Sequence, residues 1–203
     1  MITPQAAYAK LFRVLCQFKK LHYAEWSDFM KVTEVIHLKA NERITETGTP
    51  STHSYFIISG LVMCYEGDES KGDIKWFRAE NDYAFTIDML NVPGKRPNNQ
   101  CLVALEDMVV VRLSHKDFKW LCDKYIHMHA LFAGYLHKYG KIMEYMFGDF
   151  TTEPRERYEW IQKLFGFKLS RIPEDYLVRY TGLTVKQLKV LRKDRKVDFL
   201  SRY

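Results

Sequence analysis

The chain has 203 residues, 47% hydrophobic and 15% aromatic, with 31 basic and 25 acidic side chains for a net charge of +6. This length and apolar content provide a sizeable core, in one large domain or two modules, and exclude a disordered chain. No charged-then-apolar leader opens the sequence, and its longest uncharged stretch, residues 47–65, is interrupted by Thr, Ser, His, Pro and Gly, so a cytoplasmic protein without a membrane span is expected.

Residues 5–20 are predicted to form a helix, with Leu11, Phe12, Leu15 and Phe18 on one stripe, followed by a short helix over residues 25–31. From Thr33 to Leu113 the texture changes to short runs rich in β-branched and aromatic residues, at 35–38, 54–58, 61–65, 74–77, 101–105 and 108–113. Turn signals such as Gly48-Thr-Pro50, Ser59-Gly60 and Gly67-Asp-Glu-Ser70 separate them. Short strands without intervening helices imply a small antiparallel barrel or jelly roll.

Ser114 is placed to cap a helix beginning near His115, and a longer helix should follow over about residues 126–147. From Leu121 and Tyr125, apolar residues continue at Met128, Phe132, Tyr135, Tyr139, Ile142 and Met146 in alternating steps of four and three. Such a heptad stripe predicts a homodimer seam; the alternative is a helix lying on its own domain's core. Gly134 and Gly140 each cost about 1 kcal/mol of helix propensity, which is easier to understand if a neighbour approaches closely there.

Gly148-Asp-Phe-Thr-Thr-Glu-Pro154 breaks this helix and divides a sensor-type domain, 1–148, from a C-terminal domain, 149–203. The next helix, from Arg155 to about Leu164, is read with Tyr158, Ile161, Leu164 and Phe165 as its buried face. The fold class is therefore α+β: an antiparallel β-roll with flanking helices, a long dimerisation helix and an all-α C-terminal domain.

The stretch from Pro173 to Arg195 carries the clearest motif. Pro173 can open a helix, Leu177 and Val178 give it an apolar face, Gly182 suits a left-handed turn, and Thr184 can cap the helix that follows. Leu188 and Leu191 point into the domain, whereas Thr184, Val185, Lys186, Gln187, Lys189, Val190 and Lys193 are expected to face DNA, with Arg179, Arg192 and Lys193 as phosphate contacts. This is the pattern of a helix-turn-helix, which lays its second helix in the DNA major groove. Charge supports it. Residues 1–150 hold 18 basic and 18 acidic side chains, whereas residues 151–203 hold 13 and 7, the entire excess of 6.

Cys16, Cys64, Cys101 and Cys122 are scattered without a C-x-x-C pair, so they are expected to be buried thiols and no metal site is predicted. His127 and His129, two apart, would splay to different helix faces and are assigned a structural role. No Ser/His/Asp, Cys/His or phosphate-loop arrangement suggests an enzyme.

The order of elements resembles the Crp/Fnr family of bacterial transcription regulators, especially the short members of Bacteroidetes-type bacteria. Tyr55-Phe-Ile-Ile-Ser-Gly-Leu-Val62 is similar to that family's strand–Gly–strand signature, and Ala104-Leu-Glu-Asp107 with Val109-Val-Val-Arg-Leu113 to the segment leading to its dimer helix. Residues 173–184 are similar to its helix-turn-helix entry. The resemblance implies DNA, a second copy of the chain and RNA polymerase as partners, with no membrane. Two departures stand out. Members that bind cyclic nucleotides carry a Gly-Glu pair and, further on, an Arg followed by a small polar residue; residues 81–101 contain no Gly-Glu, Asn98 and Asn99 take the latter positions, and Arg96 is out of register. Cyclic AMP is therefore not the expected ligand, and a different small-molecule effector of unknown identity is left open. Val190 stands where related proteins carry a base-reading Arg, so specificity shifts to Lys186 and Gln187, and the wing hairpin is missing. The competing reading is a ligand-sensing or protein-interaction module whose helix-turn-helix no longer reads DNA.

Overall fold

The computed structural model describes residues 2–68, 71–86, 99–149 and 153–200, and describes no side chain at 138, 139, 141–149 or 194–200. The chain forms two compact units, Met1–Tyr145 and Met146–Tyr203. Among the described residues, no helix is long and apolar enough to cross a membrane.

The first unit begins with α1 (Pro4–Leu15) and α2 (Tyr23–Lys31). Eight strands follow: β1 (Thr33–Leu38), β2 (Arg43–Thr45), β3 (His53–Ser59), β4 (Leu61–Glu66), β5 (Asp73–Ala79), β6 (Tyr83–Ala84), β7 (Gln100–Ala104) and β8 (Met108–Ser114). They form two antiparallel sheets, ordered β1-β8-β3-β6 and β2-β7-β4-β5. Then come α3 (His115–Lys124) and α4 (Ile126–Asp149). Ser114 does cap α3, its hydroxyl accepting the Asp117 N–H at 3.0 Å.

The apolar runs of the central strands reflect burial on both faces. Phe56 and Ile58 of β3, with Val109, Val111 and Leu113 of β8, pack under Leu11, Leu15, Phe29, Leu121 and Met128 of the helices. Strand alternation sends Tyr55, Ile57, Met108 and Val110 to the opposite face, where they are buried too. A sheet covered on both sides reads as continuous hydrophobicity, not as alternation. β3 and β4 belong to different sheets and are separated only by Gly60, whose φ of +107° makes the corner.

Several sequence expectations need correction here. α1 stops at Leu15: the Cys16 amide makes the last helical bond, to Phe12 O, and the next amides are taken by a tightening turn (Gln17 to Val14 O, Phe18 to Leu15 O); Phe18 continues the stripe without continuing the helix. β2 and β6, only three and two residues long, went unpredicted. Cys64 and Cys101 are buried as expected, whereas Cys16 and Cys122 are only half-buried.

The second unit holds α5 (Pro154–Phe165), a 3-10 turn (Gly166–Arg171), α6 (Glu174–Thr181) and α7 (Val185–Leu200). Tyr158, Ile161 and Phe165 of α5 are buried with Leu169, Ile172, Leu177, Leu183 and Leu188. Leu164 is exposed, correcting the predicted face: neighbouring residues on a helix lie about 100° apart, and Phe165 takes the inward position.

Candidate functional site

The joint between α6 and α7 is built by local hydrogen bonds. The Thr181 hydroxyl donates to Leu177 O at 2.7 Å and accepts the Leu183 N–H at 3.3 Å, so this fully buried threonine closes the end of α6. Gly182 follows with φ +77°, its N–H donating to Val178 O at 2.9 Å. Leu183 is buried beneath the turn. Thr184 then caps α7: its hydroxyl oxygen accepts the Gln187 N–H at 3.2 Å, while its own N–H and O–H donate to Gln187 Oε1 at 2.9 and 2.8 Å. This reciprocal capping box fixes the direction in which α7 leaves the turn.

On α7, Leu188 is fully buried and Leu191 half-buried, which turns Val185, Lys186, Gln187, Lys189, Val190 and Lys193 outward. Each predicted contact residue finds a definite place. Lys186 and Lys193 are exposed and have no ion-pair partner among the described residues. Lys189 lies 3.8 Å from Glu174 Oε1, and half-buried Arg192 is 3.4 Å from Glu174 Oε2, binding α7 to the start of α6. Arg179 packs over the Tyr176 ring at 5.8 Å. Gln187, nominated from sequence for base reading, has its amide oxygen committed to the cap.

In the first unit the predicted dimer stripe divides. Met128 and Tyr135 are buried within their own unit, and the Phe132 ring lies 5.2 Å from Phe118. A Cβ at Gly134 would come within 3.0 Å of the Phe18 side chain, so the close neighbour anticipated there belongs to the same unit; at Gly140 nothing lies within 4 Å. These helical positions lie on their own roll, and the side chains of Tyr139, Ile142 and Met146 fall outside those described.

Between α1, α2, α3, α4 and the helix-facing sheet lies a cavity of about 60 Å³, lined by Phe18, Phe29, Phe118, Met128, Leu131 and Phe132 among others. Ser54, Tyr83 and Tyr135 are its hydroxyl-bearing residues, and its lining includes no Lys, Arg, Asp or Glu. Tyr135 reaches from α4 to the roll, its hydroxyl 3.3 Å from Asp82 Oδ1 and 3.4 Å from Tyr83 O. Asp82 also pairs with buried Arg78 at 3.4 Å, and Arg78 stacks over Trp76 at 5.3 Å. Sequence reading passed over this Arg78–Asp82–Tyr135 chain, because only the tertiary fold joins its ends. Among the described residues, the lining of this cavity is apolar apart from those hydroxyls. The departures at Arg96 and Asn98 lie outside the described residues.

Residues 35–125 match the family of cyclic nucleotide-binding domains. No curated protein matches the chain in sequence. Among solved structures, FixK2 from Bradyrhizobium japonicum is similar over 82% of this chain and 86% of its own, with 14% identity and a TM-score of 0.65. The sensor domain of the transcriptional regulator DNR from Pseudomonas aeruginosa matches 64% of this chain and 90% of its own (16% identity, TM-score 0.51). A cyclic nucleotide-binding domain from Methylobacillus flagellatus matches 68% of this chain and 79% of its own (13%, 0.53). The chain spans 46% of the cyclic-AMP-bound regulatory domain of Toxoplasma gondii protein kinase A, which it matches over 59% of its own length (14%, 0.50). These likenesses establish the fold of a cyclic nucleotide-binding domain with flanking helices.

Proposed function

We propose that the chain is a dimeric, DNA-binding transcriptional regulator of the Crp/Fnr type, with residues 1–148 as a sensor domain and 149–203 as a helix-turn-helix domain. The observation that carries this reading is the outward face of α7. Its axis is fixed by a capped three-residue turn, and Lys186 and Lys193 stand on it without ion-pair partners among the described residues. Phosphate is the natural counter-charge for such a face. The printed description of the DNR neighbour as a transcriptional regulator agrees with it.

The sensor is not a cyclic-AMP receptor in this reading. The sequence lacks the Gly-Glu pair, and Asn98 and Asn99 stand where the Arg and small polar residue would be. Calorimetry with cyclic AMP and cyclic GMP should show no heat of binding; low-micromolar binding of either would overturn this part.

Pull-down of genomic DNA by the purified full chain tests the main reading and yields the operator together. On that operator, Lys186→Ala should cost about 1–3 kcal/mol at one base position. Lys193→Ala should weaken binding to every sequence alike and lower the salt slope by about 1 per chain. A second reading, that the helix pair docks on a protein, draws on Val190, 51% exposed, and on the Gln187 amide held in the cap. If neither lysine affects capture of DNA, that reading replaces the first.

Dimerisation through α4 is tested at Ile142. Charged Ile142→Glu should give a monomer by sedimentation. An unchanged oligomer would place the dimer contact elsewhere.

A further inference from the structure

We propose that His22, Glu25 and His127 form a binding site for a divalent transition-metal ion of the zinc class, tying α2 to the root of α4. The three ligand atoms lie within 4.8 Å of one another, although His127 is 102 residues from Glu25 in sequence. His22 is the residue before α2, Glu25 stands in its first turn, and His127 is the second residue of α4.

Glu25 is the anchor. It is only 5% exposed, an unusual position for a carboxylate, and both of its oxygens are held. The His22 N–H donates to Oε2 at 2.7 Å, and His127 Nδ1 sits 2.7 Å from Oε1. A buried carboxyl oxygen 2.7 Å from an imidazole nitrogen is a ready pair of metal ligands.

The donor set selects the metal. Two imidazoles and one carboxylate suit zinc and its neighbours over magnesium or calcium, which prefer oxygen alone. The His22 and His127 rings are 5.4 Å apart at 33°, and the His22 side chain is exposed. That ring can therefore swing onto an ion without disturbing the core, and the open side leaves room for water as a further ligand. One turn along α2, Asp28 already joins Lys124 and Tyr125 at 2.6 and 2.8 Å, at the junction between α3 and α4. The ion would add a second clamp to the same junction. This inference stands apart from the DNA-binding reading and concerns the first unit alone.

The test uses the full chain, freed of metal by chelation and then dialysed against zinc or cobalt. We expect one zinc ion per chain. Cobalt should give visible bands of nitrogen and oxygen ligation without a near-ultraviolet thiolate band, excluding the four cysteines as ligands. His22→Asn, which keeps a capping side chain at the start of α2, and His127→Gln should each weaken binding at least about tenfold, as should His22→Ala. Zinc should also raise the melting temperature of the wild type and leave that of His22→Ala unchanged. The proposal fails if the wild type takes up no zinc above background, if His22→Ala binds as well as wild type, or if cobalt shows thiolate ligation.

Discussion

The two units treat their charges in opposite ways. In the roll unit, buried or half-buried charged groups are locked to several neighbours at once. Asp28 accepts from Lys31, Lys124 and Tyr125, Glu25 from His22 and His127, and Arg78 pairs with Asp82. In the helical unit, among the described residues, Arg155 pairs with Glu159 and Glu174 answers both Lys189 and Arg192, while Lys186 and Lys193 stand exposed. The sequence totals follow the same division, 18 basic against 18 acidic before residue 151 and 13 against 7 after it. Under the proposed function, the difference would separate a scaffold from a binding surface. A charge that holds a fold together needs its counter-charge in place, because an unpaired buried ion is expensive. A charge meant for a ligand must keep its counter-charge outside the chain.

The same contrast appears in the two turning glycines, and the largest expected effect lies there. Gly60, φ +107°, makes the corner between the sheets, and an added Cβ would meet the Met108 Cα at 2.9 Å and its side chain at 2.4 Å. Gly60→Ala should therefore combine left-handed strain with a clash against backbone, about 2–5 kcal/mol together. Urea unfolding followed through the roll should show it; a loss below about 1 kcal/mol would mean that the corner can relax. Gly182, φ +77°, has its nearest neighbour, Pro154 Cγ, at 3.8 Å, an ordinary contact. Gly182→Ala should cost only the backbone term, about 1–2 kcal/mol, confined to the helical unit. Equal losses at the two positions would erase the distinction between a crowded corner and an open turn.

What could be read from the sequence follows physical lines. Among the six main strands, β3, β4, β5, β7 and β8 were legible because covered strands concentrate β-branched and aromatic residues, and β1, of which only Leu38 is buried, through its run Val35-Ile-His-Leu38. β2 and β6 were not, since three-residue Arg43–Thr45 and two-residue Tyr83–Ala84 are held by their neighbours and carry no pattern of their own. The turn at Gly182 and the cap at Thr184 were legible because each requires a particular residue type. The heptad stripe shows the limit of periodicity: Met128, Phe132 and Tyr135 obey a 3.5-residue repeat while packing on their own roll. A repeat identifies the apolar face but not what covers it. Gln187 illustrates the same limit, since an exposed glutamine in a first turn serves a cap as readily as a base. The Glu25–His127 contact has no local signature at all, since 102 residues separate its ends.

The smallest effect at neutral pH, and the sharpest probe of the inward-turned charges, concerns acid. Hydrogen bonds from Lys124, Lys31 and Tyr125 hold the Asp28 carboxyl far below its ordinary value of 3.8, outweighing burial. A depressed carboxyl stabilises the folded unit at any pH above that ordinary value. The contribution drains away as pH falls below it toward the folded-state value, because the unfolded chain then binds the proton first. Amide-exchange protection in α2 and α3 should therefore decline on acidification below about pH 4, a window set by the ordinary carboxylate range. Asp28→Asn keeps the shape but not the charge, so it should lower protection at pH 7 and flatten the acid decline. Glu25, depressed in the same way, leaves a residual slope in this variant. If wild type and Asp28→Asn lose protection along parallel curves, Asp28 is not a charge that the roll unit holds for its own stability, and the contrast with α7 loses its clearest member.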